Sequence, residues 1–369
     1  MIRYLSFASV AAGVFATIAA TSLACSDADV PSSPTAAPTL KKASSGPTLT
    51  PQQSGTTNRL QAISPVNGRV AWASGVGGTF VVTTDGGNTW RAGVVPGAEE
   101  LEFRDVEGVS ARVAYLMSAD TGTASRIYKT EDGGATWTMQ FQNHNPRAFY
   151  DCFAFWTQKR AVTFSDAVDG VFPAIRTTDG KTWQSIGAQM PAAQDGEAAF
   201  AASGTCVATQ GGKRAWIATG GAAKARILAT IDGGDSWTAY DTPITQGTPI
   251  SGGLSVAFRD PHHGILAGGD LGSSTPPTDN VAVSGDGGAT WTLTSPTPFA
   301  SAVYGLAYVP GFGQRTVVAT GPAGAAWSPD EGATWHGLAG VSGFWAVAFA
   351  GRDAGWLVGV DGTILKLSF

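Results

Sequence analysis

Apolar and polar residues alternate in short runs along most of this chain, as in Leu254-Ser255-Val256-Ala257-Phe258 and Trp345-Ala346-Val347-Ala348-Phe349. A period of two places alternate side chains on opposite faces of an extended backbone, so such runs predict β-strands rather than helices. One stretch divides into four strands: Gly253–Phe258, Gly264–Gly268, Asn280–Ser284 and Thr290–Thr294. Its third and fourth strands are joined by the phrase SGDGGATW at Ser284–Trp291. The same phrase recurs as TTDGGNTW at Thr83–Trp90, TEDGGATW at Thr130–Trp137 and TIDGGDSW at Thr230–Trp237. Thr177–Trp183 (TTDGKTW) is one residue shorter, and Ser328–Trp335 (SPDEGATW) carries Glu331 in place of the first glycine. A last trace, Val360-Asp361-Gly362-Thr363, lacks the tryptophan.

The aspartates Asp85, Asp132, Asp179, Asp232, Asp286, Asp330 and Asp361 stand 47, 47, 53, 54, 44 and 31 residues apart. A period of about 40–50 residues filled with strand-like runs predicts propeller blades. The expected fold is all-β, a seven-bladed β-propeller of four-stranded antiparallel blades whose third and fourth strands meet at the recurring turn. The seventh unit has Phe344–Phe349, Gly355–Val360 and Gly362–Phe369, then ends without an outer strand. Because a ring must close to remove its sheet edges, segment 47–57 is expected to close the last blade, within a propeller over 47–369.

Within the phrase, Asp-Gly-Gly predicts a tight turn in which glycine takes the positive φ and the carboxylate bonds backbone N–H groups. The tryptophan then packs between blades. Asp85 with Trp90, Asp132 with Trp137 and Asp179 with Trp183 therefore read as structural. So do Asp232 with Trp237, Asp286 with Trp291 and Asp330 with Trp335. A calcium ion needs six or more oxygens and each copy offers one carboxylate, so no metal is expected.

Composition narrows the field. The 43% hydrophobic content excludes wholesale disorder, while 49 glycines and only 14% charged residues argue against a helical bundle. A net charge of −5 and an isoelectric point near 5.4 exclude the basic face a nucleic-acid partner requires. Six of the 12 tryptophans belong to the recurring phrase, which assigns half of that unusual content to blade packing.

Residues 1–24 read as an export signal: Arg3 precedes an uncharged run from Tyr4 to Ala24 ending in small residues. A membrane-spanning helix is the competing reading, opposed by the run's alanine, serine and threonine content and by the lack of a following cationic stop. Ser22-Leu23-Ala24-Cys25 resembles a bacterial lipobox, which implies lipidation of Cys25 and membrane attachment through it alone. Ser22 stands where such motifs usually place leucine, so simple secretion with cleavage before Cys25 stays open. Residues 25–46 form a Pro/Ser/Thr-rich tether. The expected location is the periplasm or outer surface of a bacterium, or the medium if the chain is merely secreted.

The recurring phrase is similar to the Asp-box, or BNR repeat, of sialidases, sortilin-type receptors, some endoglucanases and photosystem II stability/assembly factor-like propellers. The chain resembles the last group most. The most telling stretches are Ser165-Asp166-Ala167-Val168-Asp169-Gly170, the run from Gly196 to Gly204, and Gly268-Gly269-Asp270. They resemble a bacterial branch often described loosely as "oxidoreductase" or BNR-repeat protein. The resemblance implies a binding or assembly role. Photosynthetic members carry a strongly basic face, and this acidic chain departs from them, which argues against a photosystem partner.

No catalytic residue and no cofactor is expected. The arginine-bearing hallmark of sialidases is mimicked only by Phe258-Arg259-Asp260-Pro261 at the end of an inner strand, where a turn is the simpler reading. No dinucleotide fingerprint or haem-attachment motif is present, and His144, His262, His263 and His336 show no metal spacing. Aligning the blades sets Cys152 beside Ala199 and leaves Cys206 seven residues further along a neighbouring strand. At about 3.3 Å per residue that offset is roughly 20 Å, so two free thiols are expected unless the strand bulges or turns back.

Blade geometry separates the two faces of the ring. The recurring turns share one face; the links from second to third strands, and the starts of the inner strands, share the other. Asp120, Asp166, Asp169 and Asp270 fall in those links. Arg147, Tyr150, Asp151, Glu197, Tyr304 and Trp345 fall at or before inner-strand starts. An acidic and aromatic mouth is therefore expected to bind a ligand or partner, with Asp166, Asp169, Glu197 and Asp270 at its centre. The resulting expectation is an exported, monomeric, non-catalytic binding or assembly module of the cell envelope, whose partner is an unidentified envelope protein or glycan. The alternative is a carbohydrate-active enzyme, glycoside hydrolase or sialidase-like, that uses the mouth carboxylates.

Overall fold

The computed structural model describes residues 46–369; the expected signal segment 1–24, Cys25 and the tether through residue 45 lie outside the described residues. Its 28 strands form seven sheets of four strands each. Every neighbouring pair is antiparallel, as in the blade of Ser251–Phe258, Gly264–Asp270, Val281–Ser284 and Thr292–Leu293. No α-helix occurs among the described residues. The result is a seven-bladed β-propeller. Its innermost strands are Leu60–Pro65, Phe103–Gly108, Tyr150–Thr157, Val207–Gln210, Ser251–Phe258, Gly305–Tyr308 and Phe344–Gly351, which neighbour one another around the axis.

The seventh blade joins both ends of the propeller. Thr48–Gln53 pairs with Thr363–Ser368 in continuous register, from Thr48 opposite Ser368 to Gln53 opposite Thr363. Gln52 also reaches the first blade: its Oε1 accepts from the indole N–H groups of Trp90 and Trp356, both at 3.0 Å. Lys366 adds a second tie by donating to the carbonyl of Gly86 at 2.9 Å.

The recurring turns explain their own sequence. In the first, Gly86 and Gly87 have φ of 77° and 86°, a region that penalises any Cβ. The Thr83 hydroxyl accepts the Gly87 N–H and donates to Asp85, whose carboxylate accepts the N–H and hydroxyl of Thr89 at 2.9 and 2.7 Å. The same bonds recur around Asp132, Asp232, Asp286 and Asp330. These donors, the Thr89 backbone first, hold the Asp85 carboxyl down at about 2. The tryptophan closing each turn packs toward the preceding blade: Trp137 meets Trp72 and Phe80 edge-on, and Trp90 meets Trp356. Trp237 and Trp291 are buried, whereas Trp90, Trp137 and Trp183 are only partly covered.

Glu331, the exception in the sixth turn, sits at φ 58° although it is not glycine. Its carboxylate accepts from Arg259 at 2.6 Å, Arg315 at 2.9 Å and the Tyr308 hydroxyl at 2.8 Å. A three-donor cluster between blades five and six thus offsets the backbone strain.

The expectation of free thiols is corrected: Cys152 and Cys206 form a disulfide, with Cα atoms 6.0 Å apart. The alignment assumed a strand running unbroken from Ala199 to Cys206. In the fold the fourth innermost strand begins only at Val207, and the chain before it turns through Gly204, at φ 79°. That turn returns Cys206 to the level of Cys152.

Candidate functional site

Side chains reach the mouth by a repeated backbone device. Five innermost strands carry a register shift near their first residues: between Leu60 and Ala62, Phe103 and Asp105, Tyr150 and Cys152, Gly253 and Ser255, and Phe344 and Ala346. A β-bulge leaves one residue unpaired and re-aims its side chain. The residues so released are Gln61, Arg104, Asp151, Leu254 and Trp345. Four of them, all but Leu254, line one bowl of about 420 Å³ on the face away from the recurring turns.

The bowl's other polar walls are Arg59, just before the first innermost strand, Asp166, and Tyr304. Tyr304 and Trp345 meet edge to face with centroids 5.5 Å apart, and the Arg59 guanidinium lies 4.9 Å from the Trp345 ring. Arg59 and Arg104 share the single carboxylate of Glu102, at 3.6 Å and 2.8 Å. Three buried atoms on this wall have no hydrogen-bond partner: Arg59 Nε, Gln61 Oε1 and Asp151 Oδ2. Unpaired buried polar atoms are uncommon in folded proteins, and three of the seven among the described residues border this cavity.

Burial disfavours the charged form of both acids in the bowl. Burial first, and the adjacent Asp166 carboxyl second, hold Asp151 well above the usual carboxylate range. Burial pushes Asp166 up to about 6, against the opposing pull of the Ala199 N–H, which it accepts at 3.0 Å. Burial thus disfavours the charged form of Asp151 more than that of an exposed carboxyl.

The expected acidic centre separates on inspection. Asp151, Asp166, Tyr304 and Trp345 do line the bowl. Glu197 does not begin an innermost strand: it is 1% exposed and held by Arg226 Nε at 2.9 Å and the Thr219 hydroxyl at 2.7 Å. Asp169 is exposed and paired with Arg147, whose Nη1 donates at 2.8 Å. Asp270 accepts the Gly272 N–H of its own turn at 2.8 Å, and Asp120 accepts that of Thr121 at 2.6 Å. These last five residues, Arg147 included, stabilise local structure and leave the bowl to others.

Arg59, Gln61 and Arg104 are the site residues that sequence reasoning passed over. Their signal was present: Gln61 and Arg104 stand at inner-strand positions equivalent to Asp151 and Trp345 in the first two blades, and Arg59 just precedes the first of those strands. On the opposite face, Phe258-Arg259-Asp260-Pro261 forms a turn in which Asp260 accepts the N–H groups of His262 and His263 at 2.8 and 2.9 Å. Among the described residues no cluster of three His, Cys, Asp or Glu is placed to hold a metal ion.

Neither a protein-family profile nor a curated protein sequence matches this chain. Solved structures do. YCF48 bound to D1 peptide is similar over 88% of this chain and 96% of that one, with a TM-score of 0.62 and 16% identity. YCF48 from Cyanidioschyzon merolae covers 87% and 98%, with a TM-score of 0.61 and 16% identity. U3-55K is similar over 87% and 98%, with a TM-score of 0.59 and 12% identity. At such identities the likeness is one of fold, a β-propeller throughout.

Proposed function

We propose that this chain is an exported, non-catalytic binding module of the cell envelope, of the BNR/Asp-box, photosystem II assembly factor-like kind, that grips an acidic group of a partner protein in its mouth. Export rests on the segment 1–24, and attachment through a lipidated Cys25 on the lipobox-like ending. The observation that carries the binding reading is the bowl itself. Arg59 has an unpartnered Nε and only a 3.6 Å approach to Glu102, and Arg104 stands in the same wall. Both present donors, and a carboxylate accepts from both. A peptide is the favoured carrier because a neighbour of the same fold, YCF48, is bound to a D1 peptide.

The carbohydrate-active alternative is weaker. A glycosidase holds its two carboxyl groups about 5–9.5 Å apart to flank the scissile bond. Burial instead raises both Asp151 and Asp166, which stand close enough that the Asp166 carboxyl further disfavours the charge of Asp151.

The test uses acetyl-Ala-Glu-Ala-amide, its glutamine counterpart, and acetyl-Ala-Gln-Ala with a free terminal carboxylate, titrated into the full chain. A charge-assisted hydrogen bond contributes about 1.5–3 kcal/mol, so a carboxylate-bearing peptide is expected to bind at least about tenfold tighter than the neutral one. Arg59→Ala with Arg104→Ala should erase that preference. Equal binding of all three peptides would refute the proposal, and the two acidic arms tell a side chain from a chain end.

A further inference from the structure

Blade four departs from its neighbours at the axis. Its innermost strand, Val207–Gln210, has 4 residues, against 8 in Tyr150–Thr157 and 8 in Ser251–Phe258. The residues before it, from Ala198, leave the sheet after one isolated bridge to Gly220. They then run across the ring. Ala201 offers its carbonyl to Arg104 Nη1 of blade two at 3.5 Å. Gly204 lies against Asp105 of the same blade, so closely that a Cβ there would fall 2.2 Å from Oδ1. The Ser203 hydroxyl donates to the Tyr304 carbonyl at 2.5 Å, before the first strand of blade six. Thr205 meets the Ser255 hydroxyl of blade five at 2.6 Å, and its carbonyl accepts the Val256 N–H at 3.0 Å. Cys206 ends the segment, bound to Cys152 of blade three.

One stretch of backbone thus touches blades two, three, five and six besides its own, and its Ala199, Ala201 and Ala202 are buried between those blades. The same stretch supports the mouth. Ala198 to Ala202 line the bowl, the Ala199 N–H holds Asp166, and the Ala201 carbonyl holds Arg104.

We infer that Ala198–Cys206 is a plug: it closes the ring axis, floors the bowl and positions Arg104 and Asp166. The mouth then accepts a single group entering from solvent and excludes a strand threading the ring. The selection part rests on the reading of the bowl as a binding site; the closure does not. Polar contacts to three other blades fix the plug's crossing, and the disulfide fixes its end, so both anchors can be tested separately.

The experiment is amide hydrogen exchange, read by mass spectrometry on the full chain, for wild type, Gly204→Val and the double variant Cys152→Ser, Cys206→Ser. Gly204→Val keeps the disulfide but drives the plug off Asp105; the double variant does the reverse. In wild type the amides of 199–205 should exchange at least about a hundredfold slower than an unstructured chain, as buried, anchored backbone does. Each variant should lose at least about tenfold of that protection within 198–206, with the recurring turns unchanged. Each should also weaken acetyl-Ala-Glu-Ala-amide binding, through Arg104. Wild-type amides exchanging at the unstructured rate would overturn the plug. Lost protection with unaltered peptide affinity would overturn its positioning role. If wild type binds no peptide, the bowl reading and the selection with it fail, while the exchange pattern still decides closure.

Discussion

Beyond the strand pairing of blade seven, ring closure includes a side-chain latch, and Gln52→Ala isolates it. Gln52 lies on the outer strand of blade seven, and its Oε1 accepts the indole N–H of Trp356 in that blade and of Trp90 in blade one. Trp356 is 0% exposed, so its N–H cannot turn to water once the acceptor is gone. An unpartnered buried donor costs about 1–3 kcal/mol, and loss of the bond to the half-buried Trp90 costs about 1 more. The sum is about 2–4 kcal/mol. With an unfolding entropy near 2 cal/mol/K per residue, a loss of about 3 kcal/mol lowers the melting temperature of a ring this size by roughly 4 °C. Differential scanning calorimetry of Gln52→Ala and Gln52→Glu gives the reading, since the glutamate keeps an acceptor for both indoles and should recover most of the loss. A Gln52→Ala chain that melts with wild type would refute the latch.

Other outcomes follow from the same contacts. Glu331→Gly restores the usual turn residue and relieves a positive φ, yet it strips Arg259, Arg315 and Tyr308 of their acceptor; chemical denaturation should show a net loss of about 1–3 kcal/mol. Removing the disulfide frees a 54-residue separation, worth up to about 4 kcal/mol by loop-entropy reasoning, so Cys152→Ser with Cys206→Ser should lower the urea midpoint by a corresponding amount. The pH profile should have two limbs of opposite sign. Asp166 is raised to about 6 by burial, so between pH 4 and 6 the folded form holds a proton the unfolded form has lost, and stability falls as pH rises. Asp85 and Asp132 are lowered to about 2 by the donors of their turns, so their stabilisation is present above pH 4 and lost as pH falls toward 2. Burial raises Asp151, Asp105 and Glu107 as well, so in urea midpoints taken across pH 3–7 Asp166→Asn should make the upper limb shallower without abolishing it, and leave the lower limb unchanged.

Much of this architecture was legible because each blade repeats a local solution. The recurring turn, its flanking hydroxyls and its tryptophan all act within a few residues, so six copies and a seventh trace could be read along the chain. The alternating runs located inner strands such as Ser251–Phe258 and Phe344–Gly351 to within a few residues. What escaped was tertiary. The bulges that aim Gln61 and Arg104 inward have no sequence mark apart from position, and composition drew attention to acids instead. Whether a carboxylate is available depends on partners distant in sequence, as Arg226 is for Glu197. Blade four misled for a physical reason: the alignment treated Ala199 to Cys206 as strand, while Ser203-Gly204-Thr205 carried a turn signal. Glu331 was visible as an exception, but its three donors became visible only in the fold.

The central claim is that the mouth, and not the face of recurring turns, receives an acidic group. Indole-¹⁵N labelling of the full chain reports on it directly, because the 12 tryptophans divide into six on the turns and six elsewhere, with Trp345 alone of them lining the bowl. Adding acetyl-Ala-Glu-Ala-amide is expected to move the Trp345 resonance in a saturable way, to leave the six turn resonances in place, and to do neither in Arg59→Ala. Movement of the turn tryptophans with Trp345 unmoved, or an unchanged spectrum at saturating peptide, would contradict it.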